Sequence, residues 1–184
     1  YEFQYEVPYI DRSQRNGLGV FFKYIEYTNL HYDNVDNIRV FLESEDLLKT
    51  NIYTGINYTR RNSFFTRHYI DLNYSYSDVA DTIITLNPNY NGAAGNEQKY
   101  FSLQYTFSHD KRDIAAYPLQ GYKVEASLEK NGLGIFNDVD VLKFRANYSK
   151  FVKLPKRFYF SNYTSAYLST PSNQPYTVVK GLGF

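Results

Sequence analysis

The side chains best suited to chemistry are few and scattered. His31, His68 and His109 lie far apart, and none stands at metal-ligand spacing, so solvated or lumen-facing histidines are the plainer reading. Ser108-His109-Asp110 spells the letters of a hydrolytic triad. Neighbouring residues of a strand point to opposite faces, however, and the three cannot converge there. Asp33, Asn34, Asp36 and Asn37 suggest a calcium loop, but the turn glycine and the distal glutamate that such a loop needs are missing. There is no G-x-S-x-G, no H-E-x-x-H and no phosphate-cradling loop. With no cysteine, neither a disulfide nor a thiolate metal site can form. The expectation is therefore no enzyme, no catalytic or cofactor-binding residue, no metal and no cofactor.

The elements that carry these residues have a clear period. Apolar and polar residues alternate through most of the 184 residues. Tyr1, Phe3, Tyr5 and Val7 alternate with Glu2, Gln4 and Glu6; Ile70, Leu72, Tyr74 and Tyr76 alternate with Asp71, Asn73, Ser75 and Ser77. Phe101, Leu103, Tyr105 and Phe107 form an outward, lipid-facing row against Ser102, Gln104, Thr106 and Ser108. Strands are expected at roughly 1–9, 16–29, 47–61, 65–79, 98–110, 119–131, 137–152 and 156–169. The facing of the last is ambiguous, because Tyr159, Tyr163 and Tyr167 compete with Phe158 and Phe160. No helix with a convincing apolar stripe is apparent. Residues 36–46 either extend a strand above the membrane or add one; the first is preferred because it keeps the alternation of connections intact.

Several of these strands run well beyond the usual sandwich strand of about five or six residues, and a tilted strand of about ten crosses the hydrocarbon core of a bilayer. The connections alternate between short and long, which is the outer-membrane pattern of periplasmic turns and extracellular loops. Tyr 21 and Phe 14 bring the aromatic content to 19%, and tyrosine suits the membrane–water boundary. A mean hydropathy of -0.53 is compatible with a barrel, in which only alternate residues face lipid. The net charge of +1 gives no reason to expect a nucleic-acid partner. Four N-x-[S/T] sequons, at Asn57, Asn73, Asn147 and Asn162, all with tyrosine in the middle, read as strand alternation, Asn and Ser/Thr toward the lumen and Tyr toward lipid. Lys123, Glu125, Glu129, Lys143 and Arg145 would face the lumen, either as a salt-bridged wall or as a polar interior that positions a plug or loop. The chain opens directly in a strand, with no initiator Met or signal peptide, as a mature or partial chain would.

The most specific stretch runs from Asp110 to Tyr122: Asp110, Arg112, Asp113, then Tyr117-Pro118, then Gly121 opening the next strand. Pro118 withholds a ladder donor and Gly121 permits tight re-entry. This stretch resembles a turn of the BamA family of outer-membrane assembly factors, the bacterial surface antigen superfamily. Val7-Pro8-Tyr9-Ile10-Asp11 is similar to a periplasmic turn of that family. Gly181 and Gly183 sit where the family chain leads into its sixth extracellular loop, whose Val-Arg-Gly-Phe/Tyr motif would follow beyond Phe184.

The resemblance implies an all-β, antiparallel transmembrane β-barrel integral to the bacterial outer membrane. The chain would be a middle block of about eight strands of a 16-stranded barrel, without POTRA domains or closing strands. It implies a Gram-negative factor that folds and inserts β-barrel clients by strand templating at a lateral seam, surrounded by outer-membrane lipids and helped by accessory lipoproteins. A TamA-like or other secretion relative would look the same over these residues. Two alternatives stay open on the residues alone. One is a small outer-membrane pore or structural barrel complete in itself, since eight strands can close. The other is a soluble β-rich binding domain with tyrosine platforms.

Overall fold

The computed structural model describes residues 1–36, 38–136 and 138–179. The eight long alternating segments become eight strands of one antiparallel sheet. They are β1 (Glu2–Val7), β2 (Asn16–Tyr27), β5 (Lys49–Arg61), β6 (Thr66–Val79), β7 (Glu97–Asp110), β8 (Gly121–Asn131), β9 (Val141–Lys153) and β10 (Tyr159–Thr170). Between β2 and β5 lie β3 (Asn29–Val35) and β4 (Ile38–Glu43), which pair only with each other. The sheet order is β1-β2-β5-β6-β7-β8-β9-β10, so every strand of the sheet pairs with its neighbour along the chain. Among the described residues the edge strands β1 and β10 do not pair with each other.

The pleat sorts the two faces, and the sorting is the reverse of a water-soluble protein. The outward face carries Phe3, Tyr5, Leu18, Val20, Phe22, Ile56, Ile70, Leu72, Leu103, Leu128, Phe144 and Leu168, all exposed. The opposite face buries Asn51, Ser75, Ser77, Gln98, Ser102, Asn131 and Lys143. Exposed apolar rows that continue from strand to strand form a patch far larger than a soluble monomer tolerates; a bilayer covers such a surface and leaves the polar groups to face inward.

The expected spans hold to within a few residues, with three differences. Residues 138–140 precede β9 as loop, because Lys99 N donates to the Asp138 carboxylate at 2.8 Å and Val139 packs into an apolar cluster rather than a ladder. Residues 119–120 belong to the turn before β8, where the Gln120 carbonyl accepts from Asp113 N. A 3₁₀ turn at Pro155–Arg157 delays β10 to Tyr159.

Within 36–46, Ile38–Glu43 form β4, which pairs with β3 in a sheet of its own, so the parity of the long strands is kept although none of them is extended. A short helix, α1 (Asp81–Leu86), was not legible in the sequence. Its six residues are too few for a stripe; it forms because Ile83 is completely buried against Leu30, Leu48, Val79 and Tyr90.

The register settles the facing of β10. Phe160 stands opposite Val152 and Leu168 opposite Phe144 on the outward face, so Tyr159, Tyr163 and Tyr167 lie on the inner one. This reverses the expectation for the fourth sequon: Asn162 points outward, and Tyr163 points inward, where its hydroxyl donates to Asn147 Oδ1 at 3.0 Å. The other three sequons have the expected facing.

Candidate functional site

The sheet curls around a polar cavity of about 1120 Å³. Its wall is the inner row of successive strands: Gln104 and Thr106 from β7, Glu125, Ser127 and Glu129 from β8, Lys143, Arg145 and Asn147 from β9, Tyr167 from β10. Cross-strand pairing explains the match of charges. Glu129 stands opposite Lys143 in the β8–β9 ladder and accepts from its ammonium at 3.4 Å. Lys123 bridges Glu125 at 2.6 Å, two residues along the same face. Arg145 lies over the Tyr167 ring, 5.3 Å from its centroid, and the two are opposite each other in the β9–β10 ladder. Of the charges read as lumenal, Glu125, Glu129, Lys143 and Arg145 line the cavity, and Lys123 joins them through its bridge.

The cavity has a lid built from three connections at the long-loop end. The β3–β4 hairpin contributes His31, Asn34 and Arg39; the β6–β7 connection contributes Asn89 and Tyr90. The segment after β10 contributes Gln174, Tyr176, Thr177 and Val179. That segment folds back across the opening. Tyr176 N donates to Asn89 O at 2.9 Å and Thr177 N to Tyr90 O at 3.0 Å. Thr177 Oγ1 donates to Gln98 Oε1 at 3.2 Å, and Val178 is buried with Val139, Val141 and Tyr100. Asn34 Nδ2 donates to Tyr176 Oη at 3.1 Å, while Asn87 Nδ2 donates to Tyr32 O at 2.7 Å. Lys49 reaches up from β5 to the Tyr90 hydroxyl at 3.2 Å and sits over its ring. Burial pushes the Tyr90 phenol well above its ordinary range, with the nearby Tyr176 adding to the effect, so Tyr90 stays a neutral donor and acceptor. This lid was not foreseen, because its contacts join residues far apart in sequence and leave no local pattern.

The turn between β7 and β8 lies at the opposite end and does not meet the cavity. Arg112 closes back on Asp110 through two parallel bonds, Nε to Oδ1 at 2.9 Å and Nη2 to Oδ2 at 2.7 Å, while its backbone N–H donates to Oδ1 at 3.1 Å. The hydrogen bond to Asp110 holds the guanidinium above its already high value.

Asp113 acts as the hub of the turn. Its Oδ1 accepts from the backbone of Ile114 at 2.9 Å, Leu119 at 3.0 Å and Gln120 at 3.2 Å. Desolvation pushes the Asp113 carboxyl up, but these amides outweigh it and leave it below the ordinary carboxylate value. Gly121 has φ +105, and a Cβ there would collide with the Lys111 carbonyl oxygen. Tyr117 is 73% exposed at the tip and Pro118 is half-buried behind it.

Thus Asp110, Arg112, Asp113 and Gly121 come together as one closed turn. Gly181 and Gly183 lie outside the described residues. Phe101, Leu103, Tyr105 and Phe107 stand in one row on the outward face. Ser108 and Asp110 share the inner parity of β7, whereas His109 points outward to Thr66 Oγ1 at 2.9 Å. Asn34, one of the residues considered for calcium, is engaged by Tyr176 and His31 in the lid.

No curated protein matches the chain. A family model, the Omp85 superfamily domain, matches residues 1–175, which takes in the whole eight-stranded sheet and most of the lid. The apolar outward rows, the polar capped interior and this match agree, and the chain belongs to the Omp85 superfamily of outer-membrane β-barrel proteins.

Proposed function

We propose that this chain is the wall and lid of a BamA-like barrel that folds and inserts β-barrel clients into the bacterial outer membrane. The observation that carries the reading is the polar cavity walled by the sheet and bridged by residues 174–179, set inside an apolar outward face. A lipid-embedded strand must satisfy every backbone group by pairing, so a barrel with a separable seam can template an incoming strand. The residues here would hold that seam's frame: the Asp110, Arg112, Asp113 and Gly121 turn fixes the β7–β8 register, and the lid keeps the interior from collapsing. Unfolded outer-membrane proteins are the proposed clients and accessory lipoproteins the proposed helpers. The test is folding of an urea-denatured barrel client into liposomes that contain the full-length protein. Faster appearance of the folded, heat-modifiable client supports the reading; an unchanged rate with correctly folded protein rejects it.

The cavity favours one other reading, in which the lumen conducts a polypeptide or solute as a TamA-like or secretion relative would. Its inner wall carries both charge signs and lies under a lid held mainly by hydrogen bonds. Conductance that rises when Tyr176 is replaced, without any effect on client folding, would favour this second reading.

A further inference from the structure

The net charge of +1 conceals a separation along the strand axis. At the short-turn end the first turn carries Arg12 and Arg15, the second is flanked by Arg60, Arg61 and Arg67, the third begins with Lys111, and the fourth holds Lys153, Lys156 and Arg157. All but Arg61 are exposed, and none of them makes an ion pair among the described residues. The carboxylates at these turns are already engaged. Asp11 accepts from the Ser13 hydroxyl and from the Arg15 and Asn16 amides, Asp110 from Arg112, and Asp113 from three amides. At the long-loop end acidic residues prevail: Glu43, Glu45, Asp46, Asp81 and Glu97 are exposed, as is Asp140, which Lys130 pairs, alongside the exposed Arg39.

The basic end also carries exposed aromatic and aliphatic tips. They are Tyr9 and Ile10 in the first turn, Phe64 and Phe65 in the second, Ile114 and Tyr117 in the third, and Leu154 and Phe158 in the fourth. Cations lie over aromatic rings at the same level: Arg61 over Tyr9 at 5.8 Å, Lys111 over Phe65 at 5.7 Å and Lys150 over Tyr122 at 5.5 Å. Arg61, Arg67 and Lys153 have the inner parity of their strands, but Arg60 has the outward one, and Arg12, Arg15, Lys111, Lys156 and Arg157 lie in the turns themselves. These cations, without an ion pair and beside exposed rings at the rim of an apolar outward face, match the layered chemistry of an anionic phospholipid: phosphate at the level of the cations, glycerol backbone at the rings, acyl chain along the strands.

We propose that the short-turn end is a docking surface for anionic phospholipid headgroups of the leaflet it faces, and that the acidic long-loop end excludes them. This rests on the reading of the strands as membrane-spanning, but not on the client-folding activity.

The full-length protein would be reconstituted in phosphatidylcholine bilayers containing spin-labelled phosphatidylglycerol or spin-labelled phosphatidylcholine. The fraction of each lipid immobilised at the protein would then be measured as salt is raised. The expected result is preferential immobilisation of phosphatidylglycerol that declines with salt. It should be lost in the R12Q/R60Q/K156Q/R157Q variant and kept in an E43Q/E45Q/D46N variant. Heat-modifiability on gels checks that each variant is a folded barrel, which separates failure of the membrane reading from failure of the lipid proposal. Equal immobilisation of both lipids by folded protein, or a preference that survives the arginine and lysine substitutions, overturns the proposal and leaves the basic end to an acidic protein partner.

Discussion

The Tyr176 hydroxyl lies 2.8 Å from Nε2 of His31, a contact across 145 residues that joins the segment after the last strand to the hairpin after the second. The same hydroxyl accepts from Asn34, and the two rings meet edge to face at 5.5 Å. One phenol therefore ties two connections over the cavity.

Replacing Tyr176 by Phe keeps the ring and removes the hydroxyl's bonds. Each partly exposed hydrogen bond contributes on the order of 1 kcal/mol, so the lid should loosen while the sheet persists. Hydrogen exchange should accelerate over residues 29–43 and 171–179 and stay unchanged over β6 and β7. Unchanged protection in the lid would mean that the backbone bonds of Tyr176 and Thr177 hold it without the hydroxyl.

Gly121→Ala should be among the most damaging single changes in the chain. It combines positive φ with a backbone collision, and the expected loss is about 2–4 kcal/mol. Gly95→Ala is the matched control: its φ is +72 but no atom lies within 4 Å of the added carbon, so about 1 kcal/mol is expected. Urea midpoints of the refolded barrels compare the two, and equal losses would show that the collision at Lys111 relaxes freely.

Acid should open the β7–β8 turn. Asp113 has a folded value below its ordinary 3.8, so its contribution is fully present above that value and is lost as pH falls through the folded one. Pepsin works in acid, and cleavage near Leu119 should rise as pH falls below 3.8, beyond the change in pepsin's own activity. Asp113→Asn should remove that extra dependence.

Arg112→Lys preserves the charge but not the fork that meets both oxygens of Asp110. A loss of about 1 kcal/mol is expected, modest because both side chains are partly solvated. If the lysine variant matches the parent in urea, the charge alone closes the turn.

Inside the barrel, Glu129→Ala should cost more than Glu125→Ala. Lys143, the partner of Glu129, has a side chain only 6% exposed, whereas Lys123, the partner of Glu125, is 33% exposed. Removing the first partner leaves a largely desolvated ammonium less compensated, at about 1–3 kcal/mol; the second should cost under about 1 kcal/mol. Reversed unfolding midpoints would place the better-solvated pair at Lys143.

Strand positions, facing and the short–long parity of connections were legible because alternation is a local property: Phe101, Leu103, Tyr105 and Phe107 must share a face whatever the sheet pairs with. The turn at Asp110 to Gly121 stood out in the sequence by its resemblance to a family turn and by the backbone chemistry of Pro118 and Gly121, whereas the bonds of Arg112 to Asp110 and of three amides to Asp113 came from the structure. In β10 the local signal failed, because aromatics occupy both parities. Only the register against β9 placed Phe160 outward and Tyr163 on Asn147. Helix α1, the separate β3–β4 sheet and the lid were likewise decided by tertiary structure. Ile83, Tyr90, Tyr176 and Val178 gain their burial from partners distant in the chain, and a contact between distant segments leaves no period in the sequence of either one.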